Sequence, residues 1–267
     1  MTKPTQASSF RAGRRPASYT SFYYFCLVGF LPPKEEKIIK FSKGNSENVP
    51  TLGEYLREEG INIEGLYVVY GTHASYPQIV AMCLANELAK NMRTRMQAII
   101  FTEPEEQVKR QMRKHGINIR KVDMRMFSGT IVRSIIDAMN TYGEVPKVTF
   151  RQMFNSFMTA LLAHTGRVVY TDVLYVFGFL GEDIVILLSA IAKVQKKTVV
   201  TVAPESMKGF DTLLQLADVV IRTEHRLVGT TATYVIAVEK GPKRRYSAAN
   251  YSITRSGVII EEVRRYA

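Results

Sequence analysis

Apolar runs and amphipathic stretches alternate along most of this chain, and the alternation gives way to runs of strand toward its C-terminus. Leu66–Tyr70 is an unbroken apolar run of strand-forming residues. Pro77–Lys90 then places Ile79, Val80, Met82, Cys83, Leu84, Ala85 and Leu88 at helical spacing, with Pro77 in the first turn, where its missing N–H costs nothing. Ala98–Phe101 is a second strand, Pro104–His115 a helix running from acidic to basic, and Gly116 its stop. The pattern continues with helices over Gly129–Tyr142 and Phe150–His164, a strand over Val168–Val173, a helix over Asp183–Gln195 and a strand over Thr198–Ala203. Apolar strands alternating with amphipathic helices predict an α/β fold with a mostly parallel central sheet and helices on both faces. From about Asp218 the helices stop. Asp218–Arg222, Ala232–Val238, Tyr246–Thr254 and Val258–Val263 read as strands, broken by Gly229, Gly241-Pro242 and Gly257, and predict a C-terminal antiparallel extension on one edge of the sheet.

The pattern also sets the boundaries. Residues 1–20 are polar, basic and contain two prolines, as a mobile tail would be. The apolar tract Phe22–Leu31 follows Arg11, Arg14 and Arg15, lacks a small-residue cleavage site and is far short of the roughly 20 residues of a membrane span. It is expected to pack as an arm on the body or on a neighbouring subunit of a cytoplasmic protein, with no membrane contact. Residues 1–49 thus form an N-terminal extension, a basic tail plus an apolar arm, and residues 50–267 the domain, opened by a short helix near Pro50–Leu56. A chain of 267 residues that is 46% hydrophobic suits one substantial core.

Charge adds a partner. Lys and Arg number 36 against 24 Asp and Glu, a formal net charge of +12, which favours an anionic partner. On the helix after the second strand, Lys109 with Arg113 and Arg110 with Lys114 stand four residues apart, so like charges share one face. Glu105 and Glu106 one turn earlier, and the attraction of cations to a helix C-terminus, offset part of that repulsion. Lys240, Lys243, Arg244 and Arg245 form a second cluster beside Tyr246, suited to gripping phosphates and stacking a base. Cys26 and Cys83 make no disulfide framework or zinc site, and the four histidines lack metal-ligand spacing, so no metal centre is expected.

The candidate chemistry lies in the turn after the first strand. Gly71-Thr72-His73-Ala74-Ser75-Tyr76-Pro77-Gln78 stands where a phosphate loop G-x-x-x-x-G-K-[ST] belongs, whose glycines admit the phosphate, whose lysine neutralises it and whose hydroxyl holds magnesium. Only Gly71 matches. Tyr76 replaces the second glycine, Pro77 the lysine and Gln78 the hydroxyl residue. Each lost charge-assisted contact is worth on the order of 1.5–3 kcal/mol.

Four segments in order carry a family resemblance: strand-loop-helix Leu66–Lys90, the strand ending in an acidic turn Ala98–Glu103, the strand ending in aspartate Val168–Asp172, and Thr198–Ala203 leading into Leu213–Arg222. Together they resemble the RecA/RadA/KaiC-like superfamily of archaea and bacteria over roughly residues 50–263. Ile100–Glu106 is similar to that family's acidic turn, where Glu103 would be the counterpart of the glutamate that prepares the attacking water. Gly166–Asp172 resembles the Walker B strand, whose terminal aspartate, here Asp172, supports magnesium. Leu214–Ile221 resembles the segment where an Ala-Asp pair precedes an edge strand. Lys240 matches the first residue of a Lys-x-Arg pair that reaches a neighbouring subunit's nucleotide, but Pro242 fills the arginine position. With the phosphate loop degenerate, Glu103 and Asp172 are expected to cap a helix or accept backbone amides, and His73 to be a solvated turn residue.

The resemblance implies a RecA-like domain without a functional phosphate loop: a pseudo-ATPase with no catalytic residues, cofactor or metal. It would act as an accessory or assembly factor in DNA recombination or repair, binding DNA through Lys109, Arg110, Arg113, Lys114, Lys240, Lys243, Arg244 and Arg245, and assembling with itself or a RecA-like partner. Two alternatives stay open. One is a KaiC-like regulatory or scaffold protein that binds other proteins; the other is a phosphate-ester enzyme with a site rebuilt from Glu103, Asp172 and His73.

Overall fold

The computed structural model describes residues 36–40, 50–61, 63–127, 147–163, 166–228, 231–243 and 246–266. The predicted helix Gly129–Tyr142 and the apolar arm Phe22–Leu31 lie outside them.

Ten strands form one sheet in the order β1-β10-β9-β8-β7-β2-β6-β5-β3-β4 among the described residues. They are β1 (Glu36–Lys40), β2 (Gly65–Gly71), β3 (Met96–Ile100), β4 (Val122–Met126), β5 (Val168–Thr171), β6 (Thr198–Ala203), β7 (Val219–Val228), β8 (Thr231–Lys240), β9 (Ser247–Thr254) and β10 (Gly257–Tyr266). The half from β7 to β4 is parallel; β8, β9, β10 and β1 continue it as antiparallel pairs. The predicted mostly parallel sheet with an antiparallel extension is therefore the observed fold class. β1 lies ahead of residue 50 and completes the antiparallel edge by pairing with β10.

Helices cover both faces. On one side pack α1 (Leu52–Glu58), α2 (Pro77–Asn91) and α3 (Glu105–Lys114); on the other, α4 (Lys147–Ala163), α5 (Leu174–Phe177), α6 (Glu182–Val194) and α7 (Phe210–Leu216). The central strand β2 explains the unbroken apolar run: Tyr67 and Val69 face the first core, Leu66 and Val68 the second, and all are fully buried. α3 is amphipathic, burying Val108 and Met112 one turn apart. α1 starts with a capping box, in which the Thr51 hydroxyl accepts from the Glu54 amide (3.3 Å) and the Glu54 carboxylate from the Thr51 amide (2.7 Å).

Besides β1, two elements depart from the sequence expectation. β4 was absent from it, although Val122, Met124 and Met126 pack on the first core and Asp123 and Arg125 alternate with them. β7 is not an edge strand: it lies between β2 and β8 and joins the parallel half to the antiparallel half. It also runs six residues beyond Arg222, because β8 pairs with its polar end as far as Val228.

Candidate functional site

In a sheet of this kind, ligands bind beyond the C-terminal ends of the parallel strands. Here those ends bring together the loop after β2, the turn after β3 and Asp172 after β5, with β6 inserted between β2 and β5.

The loop after β2 is pulled down onto β7. Gly71 runs so close to that strand that a Cβ at its position would sit 2.1 Å from the Thr223 carbonyl oxygen. Thr72, His73 and Ala74 are exposed, while Ser75 is fully buried. The Ser75 hydroxyl lies 2.6 Å from the Thr72 carbonyl, 3.1 Å from the Thr223 carbonyl and 2.8 Å from the Thr223 hydroxyl, and its own carbonyl accepts from the Tyr251 phenol. Within the 3-10 turn His73–Ser75, the Ser75 amide donates to Thr72 (2.9 Å) and the Tyr76 amide to His73 (3.1 Å). Those two N–H groups are spent inside the turn.

Tyr76 takes the left-handed conformation, with φ of 53°. That conformation costs a non-glycine residue about 1–2 kcal/mol. The Tyr76 ring packs against Tyr234 at 5.9 Å between centroids. Pro77 follows at the first helical position of α2, with no donor to offer, and the Gln78 amide reaches the Tyr175 hydroxyl at 3.3 Å.

Asp172 is 2% exposed and committed to the protein. Its Oδ1 accepts from the Phe101 amide at 2.8 Å; its Oδ2 accepts from the Thr102 amide at 3.1 Å and from the Thr102 hydroxyl. It ties the end of β5 to the end of β3, the expected structural role. Burial raises its carboxyl above the usual range, and these three donors oppose the rise. Glu103, one residue beyond Thr102, accepts from Gln111 at 3.4 Å through one oxygen, while its other oxygen is buried with no hydrogen bond to a described residue. Both carboxylates act on the fully buried Tyr170 phenol, which burial first, then Asp172 and Glu103, push well upward. Among the described residues, no three His, Cys, Asp or Glu side chains converge as a metal site would require.

The basic residues distribute differently from the way the sequence groups them. Lys109 is held by Glu105 (2.8 Å) and Glu106 (3.0 Å); Arg110, Arg113 and Lys114 are exposed. Lys240 donates to the Leu214 and Gln215 carbonyls (3.3 and 2.7 Å) and caps α7, while Lys243 donates to the Glu58 carbonyl and caps α1. Arg244 and Arg245 lie outside the described residues. Sequence reasoning missed a second polar network at the site. A bulge in β8 sets Glu239 beside Arg222 (3.0 Å) and the Tyr70 hydroxyl, whose phenol burial and Glu239 push upward.

No family model and no curated protein matches the chain. Among solved structures it is similar to a KaiC-like protein from the hyperthermophilic archaeon Pyrococcus horikoshii OT3, with a TM-score of 0.56 and 11% identity over 74% of this chain and 90% of that one. At this identity the likeness establishes the fold alone: the α/β frame of that protein. No single helix among the described residues is long and apolar enough to cross a membrane.

Proposed function

We propose that this chain is a non-catalytic RecA-like module, an accessory or assembly factor that meets nucleic acid in DNA recombination or repair and does so without turning over ATP. The observation that carries the proposal is the loop after β2. Its Ser75 and Tyr76 amides bond within the turn, Pro77 stands where the loop needs a lysine, and the buried Ser75 hydroxyl holds the loop to β7. A magnesium triphosphate does not fit such residues, since Pro77 and Gln78 supply neither the cation nor the hydroxyl of a phosphate loop and Asp172 is already bonded at both oxygens. The net charge of +12 supports the nucleic-acid part.

Titration calorimetry with ATP, ADP and magnesium tests the first half; micromolar binding would contradict it. Fluorescence anisotropy with labelled oligonucleotides at low salt tests the second, and absence of affinity there removes the nucleic-acid part alone.

Assembly with another subunit has its own support in exposed apolar side chains around α5 and α6. Tyr175, Phe179 and Ile186 are 38%, 43% and 52% exposed. Light scattering on the intact chain checks it: a monomer at all concentrations argues against self-assembly.

A further inference from the structure

At the opposite end of the parallel strands, where β3 and β4 begin, the chain folds around a cavity of about 600 Å³. Arg93, Arg95 and Lys121 line it together with Lys90, Asn86 and Asn118. We infer that this cavity is a docking site for the phosphodiester backbone of nucleic acid. The inference rests on the nucleic-acid part of the function proposed above and gives that contact a place.

Three observations carry it. The first is that these cations are unspent. Lys90 is neutralised by Glu87 at 2.6 Å, but Arg93, Arg95 and Lys121 are exposed and have no ion-pair partner among the described residues. The second is that capping a helix does not account for them. Helix C-termini collect at this end of the sheet and attract cations, and Lys240 and Lys243 answer that attraction by bonding carbonyls directly. Arg95 instead stands just ahead of β3, and Lys121 ends a three-residue 3-10 turn just ahead of β4 with no side-chain bond to a carbonyl among the described residues. The carbonyls at the end of α2 are already satisfied by the backbone: the Arg93 amide donates to Lys90 at 3.1 Å and the Thr94 amide to Ala89 at 3.0 Å.

The third is backbone conformation. Arg93 takes φ of 50° at the position after α2 where glycine is the usual occupant, and Lys196 takes φ of 51° at the matching position after α6. Gly116 fills the same role after α3, with φ of 70°. Two of these three caps therefore carry a cation in a conformation that glycine holds without steric cost, and both lie at the end of the sheet that holds the cavity. A hydrogen bond from the Arg167 amide to the Thr94 hydroxyl, at 3.4 Å, makes the surface continuous from the cavity toward β5 and β6.

The chemistry of the lining sets the class of ligand. Guanidinium and ammonium groups with asparagine amides recognise phosphate oxygens, and among the described residues no aromatic side chain lines the cavity to stack a base. Binding there is sequence-independent and falls steeply with salt.

The test is anisotropy with labelled single-stranded DNA, duplex DNA and single-stranded RNA of equal length, over a series of salt concentrations. The unaltered chain is compared with two triple variants, Arg93→Gly/Arg95→Gln/Lys121→Gln and Arg110→Gln/Arg113→Gln/Lys114→Gln, each checked for folding by thermal melting. Loss of three phosphate contacts should weaken binding roughly tenfold or more at low salt and lower the salt slope by about two to three, while the α3 variant changes little. Whichever nucleic acid binds tightest identifies the natural form of the backbone. Undiminished binding by a folded cavity variant, or a loss confined to the α3 variant, overturns the assignment and leaves the proposed function standing. If the unaltered chain binds none of the three probes, both fall together.

Discussion

The two ends of the parallel strands use polar side chains in opposite ways. At the C-terminal end, where the fold places its ligands, Asp172, Ser75 and Thr223 are buried and bonded to the protein itself. At the N-terminal end, Arg93, Arg95 and Lys121 point their charge at solvent around a cavity. A buried polar group that satisfies its neighbours adds stability; an exposed cation without a partner adds little. Removing groups from the first end should therefore cost stability, and removing them from the second should cost binding alone.

The sharpest way to break this contrast is Asp172→Ala. The change leaves the Phe101 and Thr102 amides without their acceptor in a buried place, and should destabilise the chain by about 3 kcal/mol or more in urea unfolding. If the carboxylate served a metal instead, removing it from the metal-free protein would leave stability unchanged or improve it. The pH dependence adds a check. Because burial holds the Asp172 carboxyl above the usual range, the folded chain takes up that proton at a higher pH than the unfolded chain does. The group's contribution is therefore fullest below the unfolded value and is lost as pH rises through the folded one. The stability of the unaltered chain relative to Asp172→Asn should then improve as pH falls from neutral toward about 4. A difference that does not move with pH argues against a raised value.

What sequence could see follows from how local each signal is. The β2 run, the α2 spacing and the last three strands rest on contiguous patterns, and each appears close to where expected; β7 begins there but runs on to Val228. β4 escaped because five residues alternating Val122-Asp123-Met124-Arg125-Met126 are short, and two of them are charged. Tyr76, Pro77 and Gln78 marked the loop after β2 as the place to look, before any of its contacts were visible. The partners of Asp172 were not legible, since they depend on β5 lying beside β3, a pairing of segments some seventy residues apart. For the same reason the cationic cavity was hidden. Lys121 joins Arg93 and Arg95 only because β4 pairs with β3.

Next in size is Gly71→Ala. With a Cβ forced to within 2.1 Å of a β7 carbonyl and φ at 148°, the loop must lift from the strand, at a cost of about 2 kcal/mol. Ser75→Ala removes one hydroxyl whose partners lie in the loop and in β7, and should cost about 1–2 kcal/mol in the same assay. Neither change should alter oligonucleotide affinity measured at a temperature where the variant is fully folded. Weakened binding in either would join the two ends and dissolve the contrast.

The smallest expected effect is the most exacting test of it. Arg93→Gly relieves a left-handed backbone that costs an arginine about 1–2 kcal/mol. The gain is largely returned, since glycine loses roughly 0.5–1 kcal/mol more conformational freedom on folding and the cation's attraction to the end of α2 contributes a few tenths. Stability should therefore shift by no more than about 0.5 kcal/mol in either direction, and Lys196→Gly should behave alike. A loss beyond about 1 kcal/mol in Arg93→Gly would mean that the arginine holds the fold together, as Lys243 holds the end of α1. A near-zero shift joined to weaker oligonucleotide binding would mean that a glycine position has been given to a cation for what it touches outside the chain.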